Sequence, residues 1–173
     1  QIAKCLNNDQ LDILIGSFLG NGNISKTSDE RYRLRIIHGN KHGEYCKWKA
    51  NIFNVKTEYI EETPAYRLSS KIFDLENNLP SLKDKCPQWL IDSLNFKSIA
   101  IWLMDNGSID RISSNIDLHT DSFDEDSQKR LVDKLNILGI NCNYINYFVK
   151  KRNKNYFKIK INKINSLKII EKV

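Results

Sequence analysis

The chain of 173 residues is long enough for one domain or two closely fused halves, and its 40% hydrophobic content supports a core, which excludes a disordered protein. Lysine and arginine number 27 against 21 aspartates and glutamates, for a net charge of +6. This balance favours a polyanionic partner such as nucleic acid, the alternative being a basic protein without one. The cysteines lie far apart without a C-x-x-C pair, which indicates neither a zinc site nor a disulfide framework and predicts reduced thiols at Cys5, Cys46, Cys86 and Cys142.

No apolar run approaches the roughly 20 residues that cross a bilayer, and no signal peptide opens the sequence. We therefore expect a soluble, intracellular protein with no membrane partner. Asparagine, lysine and isoleucine are abundant. This composition is typical of AT-rich coding DNA, as found in an organelle such as the mitochondrion, in a low-GC bacterium or in a phage.

The first predicted element is an apolar helix from about Gln10 to Gly20, with its N-cap supplied by residues 7–9. It contains the segment LIGSFLGNG, residues 14–22. Asn21-Gly22 is predicted to end the helix, because glycine adopts the left-handed conformation that closes a last turn. Gly16 and Gly20 would let a second helix backbone approach closely.

A strand is predicted from Arg31 to His38, because polar and apolar residues alternate there. The alternation places Tyr32, Leu34 and Ile36 on one face and three arginines on the other. Arginines in a row on an open sheet can contact guanine edges or phosphates, the alternative being an edge strand that only aids solubility. We predict a DNA contact, because the row directly follows the first helix.

Helical spacing returns from Lys41 to Asn54, with Tyr45, Trp48 and Ile52 predicted to face the core and the lysines of this stretch to lie elsewhere. His38 and His42 do not indicate a metal site, because Gly39-Asn40 between them favours a turn. A hairpin is predicted next, over residues 55–60 and 65–72, with Arg67 and Ser69 on one face. A folded connector with a short helix at residues 88–94 comes after the hairpin.

The second half repeats this order, which is the strongest internal signal. The segment IAIWLMDNG, residues 99–107, again ends in Asn-Gly. Strands are predicted near residues 108–113 and 115–120, a helix over 124–138, strands near 143–149 and 156–161, and a last helix from 164. We predict an α/β (α+β) fold of two pseudo-two-fold αββαββ repeats, each with a curved antiparallel sheet. The two motif helices would pack together and leave Asn21 and Asn106 side by side.

The paired motifs resemble those of LAGLIDADG homing endonucleases, specifically the single-chain subfamily with two motifs. Residues 34–53 and 118–142 are also similar to the segments C-terminal to each motif in that family, and the resemblance covers roughly residues 11–173. It implies an N-terminal repeat at 1–78, a connector at 79–95 and a C-terminal repeat at 96–173. It further implies a monomer that binds a long specific site in double-stranded DNA and, with Mg²⁺ or another divalent cation, cuts both strands across the minor groove to leave 3′ overhangs.

An open sheet can enter the major groove of DNA, so the polar sheet faces are the predicted recognition surface. The candidates for base contacts are Arg31, Arg33, Arg35 and Arg67 in the first half and Asn115, Asp117, His119, Asn146, Lys158 and Lys160 in the second. The basic turn of the last hairpin is predicted to contact phosphates through Lys150, Lys151, Arg152 and Lys154.

The resemblance places a metal-binding aspartate before the final glycine of each motif, where this chain has Asn21 and Asn106. With their neighbours Gly20 and Asp105, these residues form the implied catalytic and metal set. An asparagine keeps the shape of aspartate but loses the charge that holds a hard cation, so we predict weak cation binding and little or no cleavage. For stabilising the phosphate transition state, the resemblance indicates Lys154, with Lys158 as an alternative; Arg67 or Lys71 are the weaker candidates in the first half.

Three explanations of the paired asparagines remain open. They can be a deliberate isosteric replacement that traps an uncleaved complex. They can belong to a natural protein that binds nucleic acid without cutting it, such as an intron RNA maturase or a DNA repressor. In the third explanation, Asn-Gly is only a helix cap and the site never used a metal.

Overall fold

The computed structural model describes residues 6–71, 73–74, 85–165 and 169, and it contains the predicted repeat. The first repeat consists of α1 (Asn8–Leu19), β1 (Asn23–Lys26), β2 (Tyr32–Gly39), α2 (Gly43–Ile52), β3 (Thr57–Ile60) and β4 (Ala65–Ser69). After the short helix α3 (Gln88–Asp92), the second consists of α4 (Phe96–Asn106), β5 (Gly107–Ile109), β6 (Ile116–His119), α5 (Glu125–Ile137), β7 (Cys142–Val149) and β8 (Lys154–Ile161). The expected fold class is therefore confirmed.

Each repeat forms one four-stranded antiparallel sheet of the same topology. The strand orders are β1-β2-β4-β3 and β5-β6-β8-β7. In both sheets the strand that comes directly after the motif helix lies at one edge, next to the second strand of its repeat. Both sheets thus begin directly at the ends of the motif helices.

One face of each sheet is buried under helices, as the alternating strand patterns predict. In the first half, Leu34, Ile36 and Leu68 pack with the apolar side of α2. The motif helices also exchange core residues. Ile15 of α1 belongs to the core of the second half, and Ile101 of α4 belongs to the core of the first. Because each fully buried isoleucine contributes about 1.5–3 kcal/mol, this exchange couples the two halves energetically.

The motif helices start at matching caps. The side chain of Asn7 accepts from the backbone N–H of Gln10, and that of Asn95 accepts from the N–H of Ser98, and both form reciprocal capping boxes. Helix N-termini leave backbone donors unpaired, and these asparagines satisfy one in each half. The predicted N-cap within residues 7–9 is confirmed as Asn7, and α1 begins two residues before the predicted Gln10.

Glycines allow the close contact between α1 and α4. A Cβ atom at Gly16 would lie 2.5 Å from the carbonyl oxygen of Ser98, and one at Gly20 would overlap the Cβ of Asp105. The predicted left-handed glycine after each motif asparagine is wrong, because Gly139 is the one described glycine with positive φ. A Cβ atom at Gly22 would lie 2.7 Å from the carbonyl oxygen of Ser17, so this glycine is required for space and not for its dihedral angles.

The prediction for the buried side of α2 is wrong at Trp48 and Lys49, although Ile52 packs against the core as predicted. Trp48 is 39% exposed and stacks on Tyr45, with ring centroids 5.7 Å apart, whereas Lys49 is completely buried. The buried row consists of Cys46, Lys49, Ala50 and Phe53. This row is displaced by one residue from the predicted stripe. It can contain a lysine because a carboxylate of the other half of the protein neutralises the charge of Lys49.

Parts of the predicted connector and C-terminal helix, residues 79–84 and most of the stretch after 164, lie outside the described residues. The described part of the connector contains α3, where a short helix is predicted. Three described cysteines are buried free thiols, namely Cys46, Cys86 and Cys142. None of the helices that the structure describes has both the length and the apolar character needed to span a bilayer.

Candidate nucleic-acid interface and motif site

The two motif ends meet, and the contact crosses between the halves. The side-chain amide nitrogen of Asn21 donates to the backbone carbonyl oxygen of Asp105 at 2.5 Å. Asn106 behaves differently, because its amide nitrogen donates to the carbonyl oxygen of His119 within its own half, at 3.3 Å. The paired asparagines are therefore close together but not equivalent.

The residues present at this junction do not fit a divalent cation. The amide groups of Asn21 and Asn106 direct N–H donors, not oxygens, at the neighbouring carbonyls. The carboxylate of Asp105 is buried and already bound by Lys49, and Gly20 offers only backbone atoms. The described part of the chain contains no group of three or more His, Cys, Asp or Glu residues that could hold a metal ion. A hard cation prefers several oxygen ligands with negative charge, and this junction provides none.

A buried polar cluster lies beneath the junction. The ammonium group of Lys49 lies 2.6 and 2.8 Å from the two carboxylate oxygens of Asp105 and 3.0 Å from the hydroxyl oxygen of Ser17. Nε2 of His38 is 3.4 Å away, and the ring centroid of Tyr45 is 4.3 Å away. Sequence reasoning missed this cluster. The signal that could have indicated it is the position of Lys49 in the helical row of Cys46 and Ala50.

Burial and the Lys49 charge determine the protonation of this cluster. Burial, together with the nearby ammonium, lowers the pKa of His38 to about 4, so its imidazole is neutral at pH 7. A neutral imidazole can accept a hydrogen bond from Lys49. Burial lowers the pKa of Lys49, which the carboxylate of Asp105 opposes, and burial raises the pKa of the Tyr45 phenol.

The outer face of the first sheet carries a basic row. Arg35 of β2 lies between Asn23 of β1 and Ser69 of β4, and Arg67 of β4 is opposite Ile37 of β2. Arg33 lies on the same face, because it alternates with the buried positions of β2. Arg31 lies directly before the strand and is bound to Asp29, with Nε 2.7 Å from the carboxylate.

The outer face of the second sheet combines basic and acidic groups. Asp117 pairs with Lys160 across the strands, and His119 pairs with Lys158. The ammonium of Lys158 donates to the carboxylate of Asp117 at 2.6 Å. Asn115 precedes β6, and its side chain accepts from the backbone N–H of residue 163 at 3.1 Å.

Asn146 does not lie on this outer face. It pairs with Phe157, in the alternate row that contains Tyr144 and the buried Ile159. Side chains change face at every position along a strand, so Asn146 points away from Lys158 and Lys160. Its predicted place beside them is wrong.

The basic hairpin tip is formed by the 3₁₀ turn Lys150–Arg152 and by Asn153, whose φ of 47° is left-handed. Lys154 begins β8 at this tip. Lys158 is four residues further along β8, about 13 Å at 3.3 Å per residue, and lies opposite His119. Because the carbonyl of His119 accepts from Asn106, Lys158 is the nearer of the two lysines to the motif junction.

Arg67 holds the matching position in the first half. It is opposite Ile37 on the second strand, as Lys158 is opposite His119. Each of these cations is bound to an acid on its own sheet face, since Arg67 lies 2.7 Å from Glu58 and Lys158 contacts Asp117. Lys71 comes after β4 and is exposed.

Two αββαββ repeats, joined through paired helix ends that each lead into an open antiparallel sheet, define a two-repeat endonuclease scaffold. The sequence profile of the LAGLIDADG DNA endonuclease family matches residues 11–169, so the chain belongs to this family.

Two solved structures share the fold. The homing endonuclease I-WcaI bound to its DNA recognition sequence superposes with a TM-score of 0.68 and 21% sequence identity, covering 92% of this chain and 78% of that one. I-DmoI in complex with DNA and Mn gives a TM-score of 0.52 and 13% identity, covering 94% of each chain. The single-chain, two-repeat arrangement inferred from the motifs is thereby confirmed.

Among characterised sequences, the chain is similar to protein RecA of Mycolicibacterium chitae, with 27% identity over 128 residues, which is 67% of this chain and 30% of that protein. RecA of Mycobacterium gastri is 28% identical over 159 residues, 76% of this chain and 37% of that protein. The chain therefore spans about a third of the length of these relatives.

Proposed function

We propose that this protein binds a specific site in double-stranded DNA through the outer faces of its two sheets and, with Asn21 and Asn106 in place, does not cut it. The observation that carries the proposal is the polar outer face of each sheet, opposite the helices. This face carries a basic row in the first half and Lys158 and Lys160 beside Asp117 in the second. Both sheets begin at the motif junction, so the two faces flank it. A sheet face can lie in the major groove, and the similar I-WcaI structure is bound to its DNA recognition sequence.

The sheet faces offer the chemistry of base recognition. Arginine can donate two hydrogen bonds to guanine, and aspartate can accept from the amino group of cytosine. Arg33 and Asp117 lie on these outer faces, so their side chains are candidates for such contacts.

The remaining parts of the interface are inferred from position. The hairpin tip, residues 150–154, supplies phosphate contacts that orient the complex without reading sequence. Lys158 and Arg67 occupy equivalent places near the junction, where a scissile phosphate would lie in a cleaving relative. One chain provides both halves, residues 1–78 and 96–173 with the connector 79–95, so a monomer is sufficient for the whole site.

The absence of cleavage is inferred from the junction. Hydrolysis of a phosphodiester at neutral pH requires a group that activates water and neutralises charge, usually a divalent ion. The side-chain amide of Asn21 instead donates a hydrogen bond to the backbone carbonyl oxygen of Asp105. Aspartates at both motif positions would supply the anionic oxygens that Mg²⁺ prefers, and the scaffold would then be expected to make double-strand breaks with 3′ overhangs.

The test has two stages. The protein is first used to select bound duplexes from a random library, and the selected site is placed in a plasmid. The plasmid is then incubated with Mg²⁺ and either the present chain, the double variant Asn21→Asp/Asn106→Asp, or the matched control Asn21→Ala/Asn106→Ala. We expect all three to bind and the aspartate variant alone to linearise the plasmid. Failure to select any sequence would refute specific DNA binding, and cutting by the alanine control would refute the role of the junction.

A second function is favoured by one observation. Both motif amides are satisfied by protein carbonyls, so the junction is complete without a metal, as in a non-cleaving binder of intron RNA or of an operator. In this case the aspartate variant would bind but leave the plasmid intact. Structured RNA competing for the protein better than the selected duplex would identify RNA as the ligand.

A further inference from the structure

Among the residues that the structure describes, one buried ion pair of a lysine with an aspartate joins the two halves. Lys49 lies in α2 of the first repeat, and its ammonium group contacts both carboxylate oxygens of Asp105, at the end of α4 in the second. The hydroxyl of Ser17 and the neutral ring of His38 provide two more acceptors. An ammonium group has three N–H donors, so the protein interior satisfies all of them.

In the described part of the chain the ion pair occurs once, although the fold is repeated. Gly20 precedes the motif asparagine of α1 as Asp105 precedes that of α4, and a Cβ atom at Gly20 would overlap the Cβ of Asp105. Lys134 of α5 is the equivalent of Lys49 of α2. The backbone carbonyl oxygen of each lysine accepts from the backbone N–H of the residue that caps the C-terminus of its helix. Lys134, however, donates to the carbonyl of Asp92 at an exposed position, at 2.7 Å. The pair therefore connects unlike halves and breaks the two-fold symmetry.

Asp105 is also part of the motif junction through its backbone. Its carbonyl oxygen accepts from the amide of Asn21, and the next residue is Asn106. Lys49 holds the side chain of Asp105 against the first half, which fixes the carbonyl and the adjacent asparagine relative to Asn21. We propose that Lys49 is a positioning residue, whose ion pair with Asp105 sets the arrangement of the two motif ends on DNA. The link to DNA rests on the proposed function.

Variants distinguish positioning from a purely structural role. Lys49→Met and Asp105→Asn each leave a buried group without its ionic partner, so both are expected to lower Tm. The double variant Lys49→Met/Asp105→Asn removes both charges and is expected to recover much of the lost Tm, because a buried pair contributes little net stability. A positioning role predicts that the motif junction of the double variant stays loosened. The side-chain amide of Asn21 should then exchange with water about tenfold faster, as expected for the loss of one hydrogen bond.

The experiment measures three quantities for the full chain: Tm, NMR exchange of the Asn21 side-chain amide, and affinity for the selected duplex. We expect the double variant to recover Tm but to show faster Asn21 exchange and weaker binding, while the control Lys134→Met matches the parent in all three. Parental exchange and affinity in the double variant would overturn the proposal. If the parent selects no duplex, the proposed function fails, but the exchange measurement still decides whether Lys49 positions Asn21.

Discussion

Replacing Asn21 by aspartate should make the thermal stability of the protein depend on divalent cations. The substitution Asn21→Asp exchanges an amide donor for a carboxylate oxygen, 2.5 Å from the carbonyl oxygen of Asp105. Two acceptors then face each other, and because residue 21 is exposed the cost is that of one lost hydrogen bond, about 0.5–1.5 kcal/mol. For a protein of this size 1 kcal/mol corresponds to roughly 2–4 °C, so Tm in EDTA should fall by about 1–6 °C. A cation between the oxygens at 100 times its Kd would return about 2.7 kcal/mol.

Thermal unfolding in EDTA and in increasing Mn²⁺ measures this effect. The present chain and the variant Asn21→Ala serve as controls, because neither places an anionic oxygen at the junction. We expect a rise in Tm with Mn²⁺ in the aspartate variant and none in the two controls. Two results would refute this reasoning: an aspartate variant as stable as the parent in EDTA, or an equal rise in Tm with Mn²⁺ in all three proteins. Either would show that the Asn21 amide does not stabilise the junction by donating to the Asp105 carbonyl.

Three further predictions concern the hairpin tip, the buried histidine and the helix contact. Changing Lys150 and Lys151 to glutamine should reduce the slope of log affinity against log salt by about two units, and an unchanged slope would exclude phosphate contacts there. The pKa of His38 is about 4 in the folded protein and 6.5 in the unfolded chain. Between these two values unfolding takes up a proton, so the free energy of unfolding falls as the pH decreases. Urea unfolding between pH 7 and 4 should show that the free energy of unfolding falls by about 3 kcal/mol in the parent and that this fall is absent in His38→Gln. Equal pH dependence of the two proteins would contradict a lowered pKa of His38. Gly20→Ala should lower the free energy of unfolding by about 1–3 kcal/mol, because its methyl group overlaps the Cβ of Asp105, and an undiminished Tm would show that the helices can separate without cost.

The features that local patterns determine are predictable from the sequence. Alternation along Tyr32–Gly39 places Leu34 and Ile36 inside and Arg33 and Arg35 outside, because side chains change face at every residue of a strand. The repeated Asn-Gly motif indicates two helix ends that meet. Small residues in the motifs indicate the close helix contact, since glycine removes the side chain that would separate the backbones.

The features that depend on contacts between distant parts of the chain are not predictable in this way. A buried ammonium is unfavourable without a partner, so the pattern assigns Lys49 to the surface, and its partner Asp105 lies 56 residues away in the chain. The size of Trp48 favours the core, but stacking on Tyr45 leaves it partly exposed. Polar residues occupy both faces of β7, so its sequence does not reveal that Asn146 lies opposite Phe157 and away from the basic row.

The overlap that a side chain at Gly20 would make with Asp105 has a consequence for recombination between related proteins. Two copies of the second half would bring two aspartates to a place that holds one. Two copies of the first half would bury two lysines with no acid between them. Once a duplicated ancestor had a glycine in one motif and an aspartate in the other, two copies of the same half could no longer pack together. A chimera of two related proteins should therefore fold well when it inherits Lys49 and Gly20 from one parent and Asp105 from the other.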